Sequence, residues 1–297
     1  MDVVEVLRRL GGVAEYGELL GPCSEWQVRR AATDGRITRL RRNRYGLVDV
    51  GAHRAAAVAA GGVLSHLSAA VAWGWKVQHE PERPWVTLAR NRRRPVGDLE
   101  VRWSDVPDRD VRHHITRPLR TVIDCTKALP FDEALAVADS ALRSGEVDRH
   151  QLLLAAEASS RTGRSRAIAV VDAADAGAAN PFESTLRAVA LQVPGLTVET
   201  QGEVEGVGFV DLLDRRLGIV VEGESFEFHG TLPGLRRDVK RYTAMTRRGL
   251  SVVRFLWEEA MFDQDYVHAA LMDAVALRSC GGGPLDSAGS STHGWQL

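Results

Sequence analysis

Apolar positions along the chain follow two rhythms, one of period near 3.6 and one of period two. The first ten residues put Val3, Val4, Val6, Leu7 and Leu10 on one side, as in an amphipathic helix. Gly11-Gly12 stops it, and a second short segment spans Tyr16 to Leu20. SEWQVRRAATDG then reads as a third helix. Ser24 is its N-cap, because a hydroxyl can accept an orphan N–H of the first turn, and Gly35 is its stop. After it, RITRLRRNRYGLVDV alternates apolar and basic residues on either side of the turn-forming Arg42-Asn43, the pattern of a two-stranded hairpin. Helix, helix, helix, hairpin predicts a winged helix-turn-helix over residues 1–52.

Residues 53–158 mix both rhythms. An alanine-rich helix (Ser65 to Trp75) precedes a strand, PWVTLAR, a basic turn, NRRRPVGD, and a second strand, LEVRW. Two helical stretches follow, and the second places Phe131, Leu135, Ala138 and Leu142 on one buried face. This predicts a mixed α/β packing module without obvious chemistry. Residues 163–277 read as helix (Arg164 to Asp175), helix (PFESTLRAVALQ), a strand-rich block, helix (LRRDVKRYTAMTRRG), strand (LSVVRFLW) and a last helix, Asp263 to Leu277. That order predicts a mixed sheet between helices. The remainder, 278–297, is Gly/Ser-rich and predicted to be disordered. The fold class expected is α+β, multidomain.

Composition narrows the setting. Among 297 residues, 38 basic side chains meet 39 acidic ones, so no global field draws the protein onto nucleic acid or an anionic membrane. A partner of that kind has to meet a local patch. Cys23, Cys125 and Cys280 form neither a disulfide framework nor a metal pair and fit a reducing compartment. The longest apolar run, Ala55 to Leu64, is half the ~20 residues that a membrane helix requires. With an N-terminus unlike a signal peptide, the expectation is a cytoplasmic protein with no membrane partner.

Two stretches carry possible chemistry. Arg29, Arg30, Arg36, Arg39, Arg41, Arg42 and Arg44 face a single acid, Asp34. On a recognition helix and wing they would neutralise DNA phosphates, and the competing reading is a solvated charged face. Arg90 to Arg94 form a second, weaker basic stretch. The sharper signal is acidic, GFVDLLDRRLGIVVEGESFEFHG: Asp211 closes an apolar strand, and a second strand delivers Glu222 and Glu224 to one face. Carboxylates on apolar strands are costly to bury unless they meet a cation or one another, and hard oxygen ligands suit Mg²⁺ or Mn²⁺.

From Asn180 to Trp257 the chain resembles the very-short-patch-repair-type branch of the PD-(D/E)XK nucleases, in particular the DUF559 group. The ordered positions are Glu183 in NPFES, Gln201, Asp211 in FVDLL, Glu222, His229, Asp238 with Arg241, and Arg254-Phe255. The sequence departs at Glu224, where the pattern has Asp, at Ser225, where it has Gly, and in lacking a lysine after Glu222. The resemblance implies a restriction-endonuclease-like sheet and a divalent-metal-dependent endonuclease that hydrolyses phosphodiester bonds. Asp211, Glu222, Glu224 and the carbonyl of Gly223 would hold Mg²⁺ or Mn²⁺; His229 would handle the proton of the attacking water, and Lys240 and Arg241 would meet the phosphate. The first 155 residues resemble AbiEi-type antitoxins through WQVRRAATDGRITRLRRNRYGLV, LSHLSAAVAWGW and ITRPLRTVIDCTKALPFDEALAVADSALRSG. This implies DNA binding and admits a toxin or defence partner, so a non-catalytic regulator with a degenerate nuclease domain stands as the alternative.

Several of these residues have plainer explanations. Asn180, Pro181 and Glu183 also form an N-terminal capping box. Asp238 and Arg241 are spaced for an ordinary helix ion pair. Register raises a further difficulty. A tight turn at Asp214-Arg215 pairs Asp211 with Gly218 and Glu222 with Val207, leaving the two acids ~13 Å apart. A shared metal then requires a bulge, for which Gly206, Gly208 and Gly223 give room.

Overall fold

The computed structural model describes residues 1–224 and 232–280. Among them are thirteen α-helices and three β-sheets, a mixed α and β architecture. None of these helices is long and apolar enough to cross a membrane. The chain divides into two compact units, 1–176 and 177–297.

The first unit begins with α1 (Val3–Arg9), β1 (Val13–Glu15), α2 (Tyr16–Leu20), α3 (Glu25–Thr33), β2 (Ile37–Arg41) and β3 (Arg44–Leu47). The three strands form an antiparallel sheet in the order β1-β3-β2. Ser24 caps α3 as the sequence leads one to expect: its hydroxyl accepts from Gln27 N at 3.3 Å, and the Gln27 side chain accepts from Ser24 N at 2.7 Å. At the hairpin turn Asn43 takes φ +61°, a left-handed value that asparagine tolerates better than most residues. Val6, Leu7, Leu19, Val28 and Ile37 close a small core.

A five-stranded sheet follows in the order β6-β5-β4-β8-β7, built from β4 (Val63–Leu64), β5 (Trp85–Leu88), β6 (Glu100–Trp103), β7 (Val111–Arg112) and β8 (Ile115–Thr116). β5 and β6 run parallel, so the basic stretch between them is a crossover rather than a turn. Helices α4 (Ala52–Ala60), α5 (His66–Ala72), α6 (Pro118–Ala128), α7 (Phe131–Ser144), α8 (Arg149–Glu157) and α9 (Arg164–Ala173) complete the unit. Residues 1–52 and 53–158 belong to one compact unit, and Arg44 of β3 reaches both Glu15 and the His114 ring. The last domain was expected from residue 163, yet α9 packs on α6, α7 and α8, because Ala167, Val170 and Val171 bury their side chains there.

The second unit holds α10 (Pro181–Ala190), β9 (Glu199–Val204), β10 (Gly208–Asp214), β11 (Ile219–Glu224), α11 (Leu232–Arg247), β12 (Ser251–Leu256), α12 (Trp257–Phe262) and α13 (Gln264–Cys280). Its sheet runs β12-β11-β10-β9, with β11 and β12 parallel and the other pairs antiparallel. One face packs Leu212, Ile219, Val221 and Phe255 against Phe182, Leu186 and Leu271, and the other packs Val210, Leu213 and Val220 against Met245 of α11. Each fully buried side chain of this size stabilises the fold by roughly 1.5–3 kcal/mol. α13 continues past the expected end at Leu277, and Arg278 donates to the Leu217 carbonyl at 2.7 Å.

Gly223 lies where the two faces of β11 make opposite demands. A Cβ there would stand 2.6 Å from Cε1 of the buried Phe182 ring. Replacing Gly223 by Ala should therefore destabilise the second unit by roughly 1–3 kcal/mol, the usual cost of overpacking. Urea denaturation of the variant beside the wild type checks this, and an unchanged midpoint would mean that the ring moves aside freely.

Candidate functional site

The turn between β10 and β11 sets which carboxylates meet. It spans four residues rather than two, with Asp214 paired to Ile219 and Leu212 to Val221. The buried Asp214 side chain holds it: Oδ1 accepts from Leu217 N and Oδ2 from Thr197 N, both at 2.8 Å. The four-residue offset expected from a tight turn is thus removed, and Asp211 stands at the level of Glu222. A local irregularity is present as well. Val210 and Leu213 pack on the same face although they lie three apart, and opposite them Gln201 takes φ +49°.

Glu222 and Glu224 leave β11 on the α11 side, as the period of two demands. Glu222 is only 6% exposed and accepts from Arg241 at 2.5 Å and from the Tyr242 hydroxyl at 3.2 Å. The Arg241 guanidinium also donates to the Phe209 carbonyl. Glu224 accepts from Tyr242 and, at 2.6 Å, from Arg254, whose guanidinium lies 3.9 Å from the centre of the Tyr242 ring. The tyrosine hydroxyl is pushed far above its usual range by burial and by its bond to Glu224. Two carboxylates, two guanidiniums and one phenol form a closed and nearly neutral chain.

Asp211 sits beside this chain. Its Oδ2 accepts from Gly223 N at 2.8 Å. Partial burial raises its pKa to about 6, with Glu183 and Glu222 adding repulsion, while the Gly223 N–H and Arg241 pull the other way. Glu183 does what a capping residue does and more. Its backbone N–H donates to Asn180 Oδ1, and its carboxylate accepts from Ala179 N, from the Asn180 amide and from Gln201. Both of its oxygens are occupied.

In the metal cradle expected from Asp211, Glu222, Glu224 and the Gly223 carbonyl, two of the carboxylates meet guanidinium and phenol partners. Among the described residues no three His, Cys, Asp or Glu side chains are grouped to hold a metal ion. Glu222 and Glu224 have their oxygens turned to Arg241, Tyr242 and Arg254, and Glu183 closes the end of α10. His229 and Ser225 lie outside the described residues. Lys240 is exposed on α11. Arg241 neutralises Glu222 in the present structure. Tyr242 was missed by sequence reading, since a tyrosine on a charged helix signals nothing until the strand facing it is known.

The N-terminal arginines divide in two. Arg36 binds Asp2 at 2.7 Å, Arg44 binds Glu15, and Arg41 is half-buried against Gly61. Arg29, Arg30, Arg39 and Arg42 are exposed. On α3 the stripe Trp26, Arg29, Arg30 and Thr33 faces solvent, with Trp26 65% exposed and the Arg30 guanidinium 5.3 Å from its ring centre. Arg29 and Arg30 pair with Glu25 and Asp34 at exposed positions, where such pairs are worth little.

No family model matches the chain, and no curated protein matches it. Among solved structures it has a loose similarity to the Rv2827c protein of Mycobacterium tuberculosis. The two share 14% identity across 62% of this chain and 78% of that one, with a TM-score of 0.31. A similarity that small carries no inference.

Asp211 gives the site a pH signature. Between its ordinary value of 3.8 and about 6, the folded chain keeps a proton that the unfolded chain has lost. The contribution of this group is therefore most favourable at low pH and declines as pH rises toward 6. Asp211→Asn should remove that decline and leave the protein more stable at pH 7.5, by on the order of 1–3 kcal/mol. Urea denaturation at pH 5 and 7.5 measures it. A variant less stable than wild type at pH 7.5 would show that the Gly223 N–H and Arg241 hold the ionised carboxylate better than burial disfavours it.

Proposed function

We propose that this protein binds duplex DNA through its first 50 residues and acts there as a non-catalytic regulator. The α-β-α-α-β-β order with a β1-β3-β2 sheet is that of a winged helix-turn-helix, with α3 as recognition helix and the β2–β3 hairpin as wing. The observation that carries this reading is the exposed stripe of Trp26, Arg29 and Arg30 on α3, extended by Arg39 and Arg42 on the hairpin. An exposed tryptophan between arginines offers an apolar surface for base edges beside donors for phosphates. A toxin or other defence partner would suit such a regulator.

A second reading, a metal-dependent phosphodiester hydrolase, is favoured by one observation. Asp211 has a raised proton affinity, set first by burial and then by repulsion from Glu183 and Glu222, as perturbed carboxylates at functional sites often do. Against it stand Arg241 and Arg254, already seated on Glu222 and Glu224.

Fluorescence anisotropy with duplex DNA across a salt series tests the first reading. Replacing Arg30, Arg39 and Arg42 together by Ala should weaken binding and lower the log–log salt slope by ~0.9 per lost phosphate contact. Arg44→Ala should matter less, since that side chain is half-buried and paired with Glu15. Equal binding by the triple variant would return the stripe to an ordinary solvated face. In parallel, incubating duplex, single-stranded and mismatched DNA with Mg²⁺ or Mn²⁺ should yield no cleavage. Cleavage that Asp211→Ala abolishes would replace this reading with the hydrolase.

A further inference from the structure

A large concave surface of the first unit lies apart from the recognition stripe, with none of the α3 residues in its lining. It is a cavity of about 940 Å³ between the β5–β6 strands, α6 and the C-terminal end of α8. That volume falls within the ~300–1,000 Å³ of sites that take small ligands. Its lining is strongly basic. Arg90, Arg102, Arg109, Arg117, Arg120 and Lys127 border it beside Asp110 and Asp124, and Asp105 and Glu100 pair with Arg90 and Arg102 from just outside.

The basic groups are placed by the fold rather than scattered. Arg120, Asp124 and Lys127 follow the spacing of one face of α6. Arg120 is held rigid there, Nε donating to both Asp124 oxygens at 2.8 Å and the guanidinium reaching Ser104 Oγ at 3.4 Å. Arg102, on the strand floor, stacks over Trp85 at 4.7 Å and donates to Glu100 at 2.5 Å. Lys127 donates to Ser160 at 2.9 Å and, among the described residues, has no carboxylate at ion-pair distance; the same is true of Arg117.

Two further features belong to the same wall. Ser159 Oγ is buried and has no hydrogen-bond partner among the described residues, a state that costs free energy unless something else bonds to it. The buried His66 is held at φ +49°, a left-handed value unfavourable for its side chain, with Nδ1 2.9 Å from Ser65 Oγ and its ring against Trp85. Strain of this kind concentrates at ligand sites. Burial, then Arg102 and Arg120, lower the His66 pKa to about 3, so the ring is a neutral hydrogen-bonding group and the positive charge resides on the arginines and Lys127.

We infer that this cavity binds a phosphorylated small molecule, its phosphate groups held by Arg117 and Lys127 with the hydroxyl of Ser159. A planar guanidinium that presents paired donors, a fixed cation on α6 and an unsatisfied hydroxyl suit phosphate oxygens, which take several charge-assisted hydrogen bonds at once. The inference does not depend on the DNA reading, because none of these residues belongs to the α3 stripe or the wing.

Isothermal titration of the full chain with inorganic pyrophosphate, AMP, ATP and citrate, without divalent metal, tests it. Pyrophosphate and ATP should bind saturably at one site, and citrate, a polyanion without phosphate, at least tenfold more weakly. Tighter binding of ATP than of pyrophosphate would assign the ligand to nucleotides; equal binding would assign it to the phosphate groups alone. Arg117→Gln and Lys127→Gln should each weaken binding about tenfold, and Ser159→Ala several-fold with an unchanged melting temperature. The inference is overturned if no saturable binding occurs, if citrate binds as well as pyrophosphate, or if the Arg117→Gln/Lys127→Gln double variant binds like the wild type. It is also overturned if saturating duplex DNA displaces pyrophosphate competitively, which would make the cavity part of a nucleic-acid surface.

Discussion

A carboxylate carried into an apolar strand must be met by a positive charge or by a proton, and the second unit uses both answers within a few residues. Glu222, at the end of a strand otherwise made of Ile219, Val220 and Val221, is met by Arg241. Asp211, one strand away, has no such partner at ion-pair distance among the described residues, and it is met by a backbone N–H and by a raised proton affinity. The difference follows from position. α11 crosses the face toward which Glu222 and Glu224 point, so its guanidinium and phenol arrive there. Removing one partner of such a pair leaves an uncompensated charge and typically costs more than the pair itself contributes. The arrangement of α11 on the sheet is therefore tied to these contacts as well as to Met245 and its apolar neighbours.

Much of the local architecture is legible in the sequence because it rests on local physics. Ser24 with Gln27, Asn180 with Pro181, and Asn43 at the hairpin act within three or four residues, and the structure places each at the terminus or turn that its chemistry suggests. The mixed sheet of the second unit was readable for the same reason, since alternation and helical spacing survive in isolation. The site was readable only in part. That Glu222 and Glu224 share a face follows from the period of a strand, but their partners do not. Tyr242 and Arg254 come from 18 to 30 residues away, and no spacing rule links them to the acids. The turn length was hidden for a related reason: Asp214 stabilises the longer turn partly through Thr197, a residue on the far side of β9.

The middle of the first unit shows the opposite failure. Read as sequence, 53–158 offers packing and no chemistry, because its basic residues are dispersed over strand, loop and helix. Arg102 and Lys127 become neighbours of one cavity only when β6 lies parallel to β5 and α6 lies across from them. A parallel pairing joined by a helix-free crossover has no periodic signature. Charge clusters assembled from separate elements are invisible to a search for runs, whereas the arginine run at 29–44 was conspicuous, and the fold then committed the half-buried Arg44 to a pair with Glu15.

The four-residue turn after Asp214 has a bearing on how such a chain can vary. Connections between antiparallel strands are usually where insertions and deletions accumulate with least harm. Here the turn acts as a ruler. Gaining or losing a single residue would carry every side chain of β11 to the opposite face of the sheet, moving Glu222 and Glu224 into the hydrocarbon around Phe182 and Leu186 and turning Val221 toward Arg241. Length variation should therefore be better tolerated in the crossover between β5 and β6, where no buried charge depends on register, than in a surface turn that looks equally free.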